Sequence, residues 1–90
     1  VAHVFGLKPA LHSVYETGIA TVANLHLASA LPEVEYPNDS GLHFLSSDVL
    51  VEYQKVINGA MKVPAGSGLG VTLDRNKLEK LALERVEIRA

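Results

Sequence analysis

Three side chains with chemical potential lie close together in the sequence: His12, Ser13 and Glu16. A carboxylate can contact a ligand, and a His/Ser pair with an acid nearby raises the hypothesis of a hydrolase triad. Adjacent side chains of an extended segment point to opposite faces, so His12 and Ser13 could not easily share a hydrogen bond. We therefore expect His12 and Ser13 to line a pocket, and we take Glu16 as the main candidate for a site residue. The alternative for Glu16 is a surface carboxylate beside a helix N-terminus.

The elements that would position these residues are a strand, a turn and a helix. Residues 8–12 lack hydrophobic alternation, which is typical of a short strand covered on both faces. Residues 13–17 form the turn, where the hydroxyl of Thr17 can cap a helix predicted over 18–31. Such a βα unit places its loop at the carboxyl end of the strand, where (β/α) barrels carry their chemistry. One unit is not a barrel, so the sequence indicates the end of something larger.

The predicted helix carries one broad apolar stripe with spacings of three and four residues. Its members are Ile19, Val22, Ala23, His26, Leu27, Ala30 and Leu31. A histidine on such a face is more often a hydrogen-bonded core residue than a ligand, and we interpret His26 in this way. Pro32 ends the helix, because the residue before a proline is disfavoured in the α region.

The flanking segments carry further local signals. Residues 1–6 are typical of a last helical turn closed by glycine. Residues 33–47 contain many turn-forming residues and predict a long connection. We expect that connection to pack through Tyr36, Leu42, Phe44 and Leu45.

The C-terminal third predicts a hairpin, a loop and a helix. Within residues 53–63, Asn58-Gly59 between β-forming flanks favours a type I′ turn. Residues 64–70 form a glycine-rich loop, and Asp74 can cap a helix over 75–84. Residues 86–90 are predicted to fray or to add a short strand.

Composition excludes several classes of protein. The chain has 90 residues, 48% of them hydrophobic, a net charge of -2 and no cysteine. No basic patch indicates nucleic acid, no apolar run is long enough for a membrane span, and no export signal is visible, so we expect a cytoplasmic protein. The apolar excess predicts a partner, either the rest of a parent chain or a homo-oligomer. The start at Val1 rather than at methionine predicts a piece cut from a longer protein.

The other polar residues offer weaker candidates. His3 and His43 are too isolated to indicate a metal site. Glu33, Glu35 and Asp39 are interpreted as loop acids rather than as a hard-cation site built from these three alone.

The glycine-rich PAGSGLG is predicted to be a structural turn. It lacks the Lys-[Ser/Thr] of a P-loop, and the third glycine of a dinucleotide fingerprint would be expected at the position of Val71.

Two stretches resemble a known family. HSVYETGIATVANLHLASALP and NGAMKVPAGSGLGVTLD are similar to the C-terminal end of the enolase superfamily, in the branch of mandelate racemase and muconate lactonizing enzyme. The likeness runs in order through most of the chain. It departs at residues 65–68, where Ala-Gly-Ser-Gly stands in place of the family's common Asp-Gly-Pro-Gly, a change that affects loop stiffness more than chemistry.

The resemblance implies an α/β fold. Residues 1–32 would be the last βα unit of a modified (β/α)8 TIM-type barrel. Residues 33–90 would be a C-terminal tail, whose hairpin and short helix pack on an α+β capping domain.

The resemblance also implies an enzyme. Its members abstract a proton alpha to a carboxylate through an enediolate stabilised by Mg²⁺, with racemisation, epimerisation, cycloisomerisation or dehydration as the outcome. Only Glu16 carries over, as a contact to the substrate carboxylate or the intermediate, and Ser13 and His12 could line the same pocket. The Mg²⁺ ligands and the general base would lie on earlier strands, so we expect this segment alone to be inactive.

Two alternatives stay open. One is a free-standing interaction or oligomerisation module without catalysis. The other is a small hydrolase that uses Ser13 and His12.

Overall fold

A computed structural model describes residues 1–32 and 34–89. Along the chain, its elements are helix α1 (Gly18–Ala30), a 3-10 helix (Leu42–Phe44), strands β1 (Val56–Ile57) and β2 (Ala60–Met61), and helix α2 (Arg75–Leu81). Glu33, one of the loop acids considered above, lies outside the described residues. No helix in the described part is long and apolar enough to cross a membrane.

The first residues form the helical turn that the sequence predicts. The Gly6 amide donates to His3 O at 3.0 Å, and the Leu7 amide donates to Ala2 O at 2.9 Å. This pair of bonds closes a helix end around a glycine in the left-handed region, and Gly6 has φ +68°.

Residues 8–12 belong to no β-ladder among the described residues. Because a ladder needs a neighbouring strand, the strand expected there stays a prediction. These residues lie beside residues 35–41. Asn38 Oδ1 accepts from the Leu11 amide at 2.9 Å, and the Asp39 amide donates to Leu11 O at 3.0 Å. A side-chain amide thus takes the place of a backbone acceptor. Ala10 is exposed, so the segment is not covered on both faces.

Helix α1 matches its predicted bounds to within a residue, since Leu31 already has extended backbone angles before Pro32. The predicted cap is wrong in its chemistry. Thr17 is the N-cap residue, but its side chain makes no capping hydrogen bond. Oδ1 of Asp48 accepts from the Gly18 amide at 2.8 Å in its place.

The predicted apolar stripe of α1 is only partly buried. Gly18, Thr21 and Val22 are the buried residues of the helix, whereas Ile19 is 39% and Leu27 48% exposed. The described residues pack on one side of α1 and leave the other side of the stripe uncovered. The buried apolar core is small and consists of Val22, Leu42, Val49 and Leu50.

The long connection packs as predicted only in part. Leu42 is fully buried and Leu45 is half-buried. Tyr36 and Phe44 are 53% and 78% exposed, contrary to the prediction. The 3-10 helix turns Leu42 inward and leaves Phe44, two residues later, on the outside.

The hairpin is confirmed. Strands β1 and β2 are antiparallel, and Val56 is paired with Met61. Asn58 and Gly59 have φ of +51° and +74°, as a type I′ turn requires.

Helix α2 is also confirmed, although it ends at Leu81 rather than at residue 84. Oδ1 of Asp74 caps it by accepting from the Lys77 amide at 3.0 Å. Residues 82–89 are exposed and form neither helix nor strand.

Candidate functional site

Glu16 lines a groove of about 570 Å³ between α1, residues 34–43 and the hairpin. The walls are mostly apolar, with Leu25 from α1 and Met61 from β2 on them. The polar lining residues are Glu16, Thr21, Asn24, Ser29, Asn38, Asp39, Ser40 and His43. A cavity with apolar walls and a few polar groups is the usual form of a small-molecule site. A second cavity, of about 410 Å³, is lined by none of the three site residues predicted from the sequence.

The carboxylate of Glu16 is held only weakly. Glu16 is half-buried and lies two residues before the first residue of α1. Its Oε1 accepts from Asn24 Nδ2 at 3.5 Å, which is longer than an ordinary hydrogen bond. The carboxylate therefore keeps most of its capacity to bond another group.

The residue before Glu16 has a left-handed backbone conformation that shapes the turn. Tyr15 has φ +54°, which is uncommon for a residue with a side chain. Gly41 packs against this turn, and a Cβ built on it would lie 2.5 Å from the Tyr15 amide nitrogen. The turn before Glu16 is thus fixed by close backbone contact.

A hydrogen bond to Ser13 stabilises the same turn. It is 8% exposed, and its hydroxyl oxygen accepts from the Gly41 amide at 2.8 Å. Ser13 is not among the residues that line the groove. Its side chain therefore has a structural partner, and its role in substrate binding stays a prediction.

His12 lies at the surface. Its Nδ1 is 2.9 Å from Asp39 Oδ2, and the two side chains are 69% and 60% exposed. No hydrogen bond between His12 and Ser13 is present among the described residues, and nothing in this arrangement favours a triad. A pocket-lining role for His12 stays a prediction.

His26 has the bonded, half-buried environment expected of a structural histidine. Its Nε2 donates to Leu69 O at 2.9 Å and ties α1 to the glycine-rich loop. That loop is built from left-handed glycines: Gly66, Gly68 and Gly70 have φ of +118°, +61° and +71°. A Cβ on Gly70 would lie 2.6 Å from Ala65 O. These contacts agree with a structural turn.

Sequence reasoning missed Asp48. It is 7% exposed, and its Oδ1 accepts from the amides of Gly18 and Val49, both at 2.8 Å. The only signal in the sequence was an acid directly before the apolar run 49–51. An acid after two serines is equally typical of a solvated loop, so the signal was weak.

The described residues do not offer a metal centre. Over 1–32 and 34–89 no group of three or more His, Cys, Asp or Glu side chains could hold an ion. The His12–Asp39 pair and Glu16 therefore do not add up to a ligand set for Mg²⁺ here.

Comparison with known proteins gives a consistent picture. Residues 1–77 match the family model described as "Enolase C-terminal domain-like". A probable glucarate dehydratase from Streptomyces coelicolor is 36% identical over 78 residues, which cover 87% of this chain and 18% of that protein. A chloromuconate cycloisomerase from Cupriavidus pinatubonensis is 30% identical over 83 residues, covering 91% and 22%.

A solved structure shows the same fold. An enolase from Streptomyces coelicolor, described as a putative sugar isomerase, superimposes with a TM-score of 0.81 and 39% identity. The match covers 88% of this chain and 21% of that one. The chain thus spans about a fifth of the length of the relatives it matches.

Proposed function

Because the chain belongs to the enolase superfamily, in the branch of mandelate racemase and muconate lactonizing enzyme, we propose that it is part of a longer enzyme that removes a proton alpha to a carboxylate. The relatives support an enzymatic parent, and they include a dehydratase and a cycloisomerase. Their reactions differ in outcome. The proposal is therefore limited to the proton abstraction and the enediolate that the family resemblance implies.

Within that enzyme, we assign Glu16 to the substrate carboxylate or the enediolate derived from it. One observation carries this assignment: the half-buried Glu16 carboxylate lines the groove and has only a 3.5 Å contact with Asn24. A contact between two carboxyl groups needs a shared proton. Glu16 would supply that hydrogen bond, which strengthens as negative charge develops on the substrate oxygens.

The expectation of Mg²⁺ comes from the family resemblance and not from the residues described here. The described part of the chain holds no group of three or more possible ligands, and we propose that residues of the longer enzyme outside this chain hold Mg²⁺. The chemistry derived for this chain is accordingly restricted to binding and orienting the substrate through Glu16.

The partners and the location are part of the same proposal. Large apolar side chains lie on the surface, among them Val4, Phe5 and Leu83, which are 82%, 75% and 104% exposed. Exposed apolar area on this scale supports a covering partner. We assign that role to the rest of the longer chain, within a cytoplasmic homo-oligomer that acts on a small carboxylate.

The test is hydrogen exchange into candidate substrates. The longer protein is incubated in D₂O with a panel of carboxylic acids that bear an α-hydrogen, with Mg²⁺ or with a chelator. We expect the α-proton NMR signal of at least one acid to disappear, and to do so faster with Mg²⁺. Absence of exchange for every acid would contradict the proposal. Ester hydrolysis that is lost on Ser13→Ala would favour the hydrolase alternative instead.

A further inference from the structure

Helix α1 is capped by a residue that is distant in the sequence. The first amide of an α-helix has no acceptor within the helix, and the Thr17 side chain does not supply one. Oδ1 of Asp48, 30 residues downstream, accepts from the Gly18 amide at 2.8 Å. The same oxygen accepts from the Val49 amide, so one carboxylate oxygen joins two segments.

The Asp48 carboxylate is buried and forms no ion pair with another described residue. Asp48 is 7% exposed, and its Oδ2 has no hydrogen-bond partner among the described residues. A buried charge is costly unless something compensates it. The compensation here comes from two backbone amides and from the positive end of α1, a helix of 13 residues.

The backbone that follows Asp48 is bonded to the segment that leads into α2. The Asp74 amide donates to Val49 O at 2.8 Å, and the Val51 amide donates to Thr72 O at 3.0 Å. Lys77 Nζ adds a bond of 2.7 Å to Leu50 O. The segment that carries Asp48 is thus held by residues 72–77, and its carboxylate transmits that fixed position to the start of α1.

We propose that Asp48 is a positioning residue for Glu16, an inference that rests on the proposed function. Only Thr17 separates Glu16 from Gly18, whose amide Asp48 holds. With the turn fixed on one side by Gly41 packed on Tyr15 and on the other by Asp48, the backbone that carries Glu16 has little freedom. Loss of the Asp48 carboxylate releases one of these two constraints and lets Glu16 drift from its productive position.

A double-mutant cycle in the longer enzyme tests this inference. Asp48→Ala is expected to lower kcat/KM by roughly tenfold to a hundredfold, the scale of a small misplacement of a substrate contact. In a Glu16→Gln background the same change is expected to have almost no further effect on kcat/KM, because the residue it positions is gone. Asp48→Asn keeps an acceptor oxygen and is expected to recover most of the activity.

Glu79→Ala is the matched control. It removes a carboxylate from an exposed position of α2 that lies outside residues 72–77 and is expected to leave kcat/KM unchanged. Hydrogen exchange by mass spectrometry adds a readout that does not depend on activity. Peptides covering residues 14–22 are expected to exchange faster in Asp48→Ala, or in Asp48→Ser if Asp48→Ala does not fold, and not in Glu79→Ala.

The outcomes distinguish the proposed function of Glu16 from the positioning role of Asp48. If Glu16→Gln alone leaves kcat/KM unchanged, the proposed function of Glu16 fails, while the exchange data still decide whether Asp48 fixes the turn. If Asp48→Ala causes the same fold-loss in both backgrounds, or leaves exchange at 14–22 unaltered, Asp48 does not act through Glu16 and the inference is overturned.

Discussion

Replacement of Glu16 by glutamine is expected to lower kcat/KM of the longer enzyme by about two to three orders of magnitude, the usual cost of losing one group that stabilises developing oxyanion charge. Glutamine keeps the size of the side chain and can still accept a bond from Asn24. It cannot share a carboxyl proton with the substrate. The measurement is steady-state kinetics on the acid identified by hydrogen exchange, with circular dichroism to verify the fold.

Glu79→Gln is the matched control for this change. Glu79 is an exposed residue of α2 and does not line the groove. We expect its replacement to leave kcat and KM at their original values. Unchanged turnover and unchanged substrate affinity in the Glu16 variant itself would remove Glu16 from the site.

The second large effect is expected at Gly18. A Cβ added there would lie 2.4 Å from Asp48 Oδ2 and 2.6 Å from Leu50 Cδ1. Gly18→Ala should therefore destabilise this region by about 1–3 kcal/mol through overpacking. Displacement of the Asp48 cap should add ~0.5–2 kcal/mol. The sign of the stability change is informative, because alanine has a higher intrinsic helix propensity than glycine and would otherwise stabilise the helix.

The melting temperature of the longer protein measures this effect, and hydrogen exchange at residues 14–22 and 46–52 localises it. Glu79→Ala serves as the control, since Glu79 is an exposed polar residue of α2 outside the apolar stripe and its change should stay within about 0.5 kcal/mol. A Gly18→Ala protein that melts at or above the temperature of the unmodified protein would show that Asp48 and Leu50 yield without cost.

The parts of the fold that sequence predicted correctly are those specified by neighbouring residues. The Asn58-Gly59 turn, the Asp74 cap and the end of α1 before Pro32 each depend on backbone preferences within a few residues. These three features can therefore be predicted without knowing how the rest of the chain folds.

Most differences between the sequence prediction and the structure involve a distant partner. Residues 8–12 show a strand pattern, but a ladder needs a neighbouring strand, and among the described residues they contact Asn38 and Asp39. Thr17 is a good cap by type, but Asp48 occupies that role from 30 residues away. Periodicity located an apolar stripe on α1 without indicating which side of it the other described residues would cover.

The residues of the candidate site also fall into those that a local pattern predicts and those that depend on distant contacts. Glu16 could be selected from its place in the strand–turn–helix pattern, and it does line the groove. The bonds of Ser13 to Gly41 and of His12 to Asp39 depend on how residues 34–41 fold back, which no local pattern encodes. The same holds for Asp48, whose burial follows from its bonds to two separate segments.

The most direct test of the whole account is a crystal structure of the longer enzyme with a bound carboxylate substrate or an unreactive analogue. We predict a Glu16 carboxyl oxygen within about 2.6–3.2 Å of a ligand carboxylate oxygen, the range of a hydrogen bond. A ligand bound out of reach of Glu16, with that carboxylate still directed at Asn24, would contradict it.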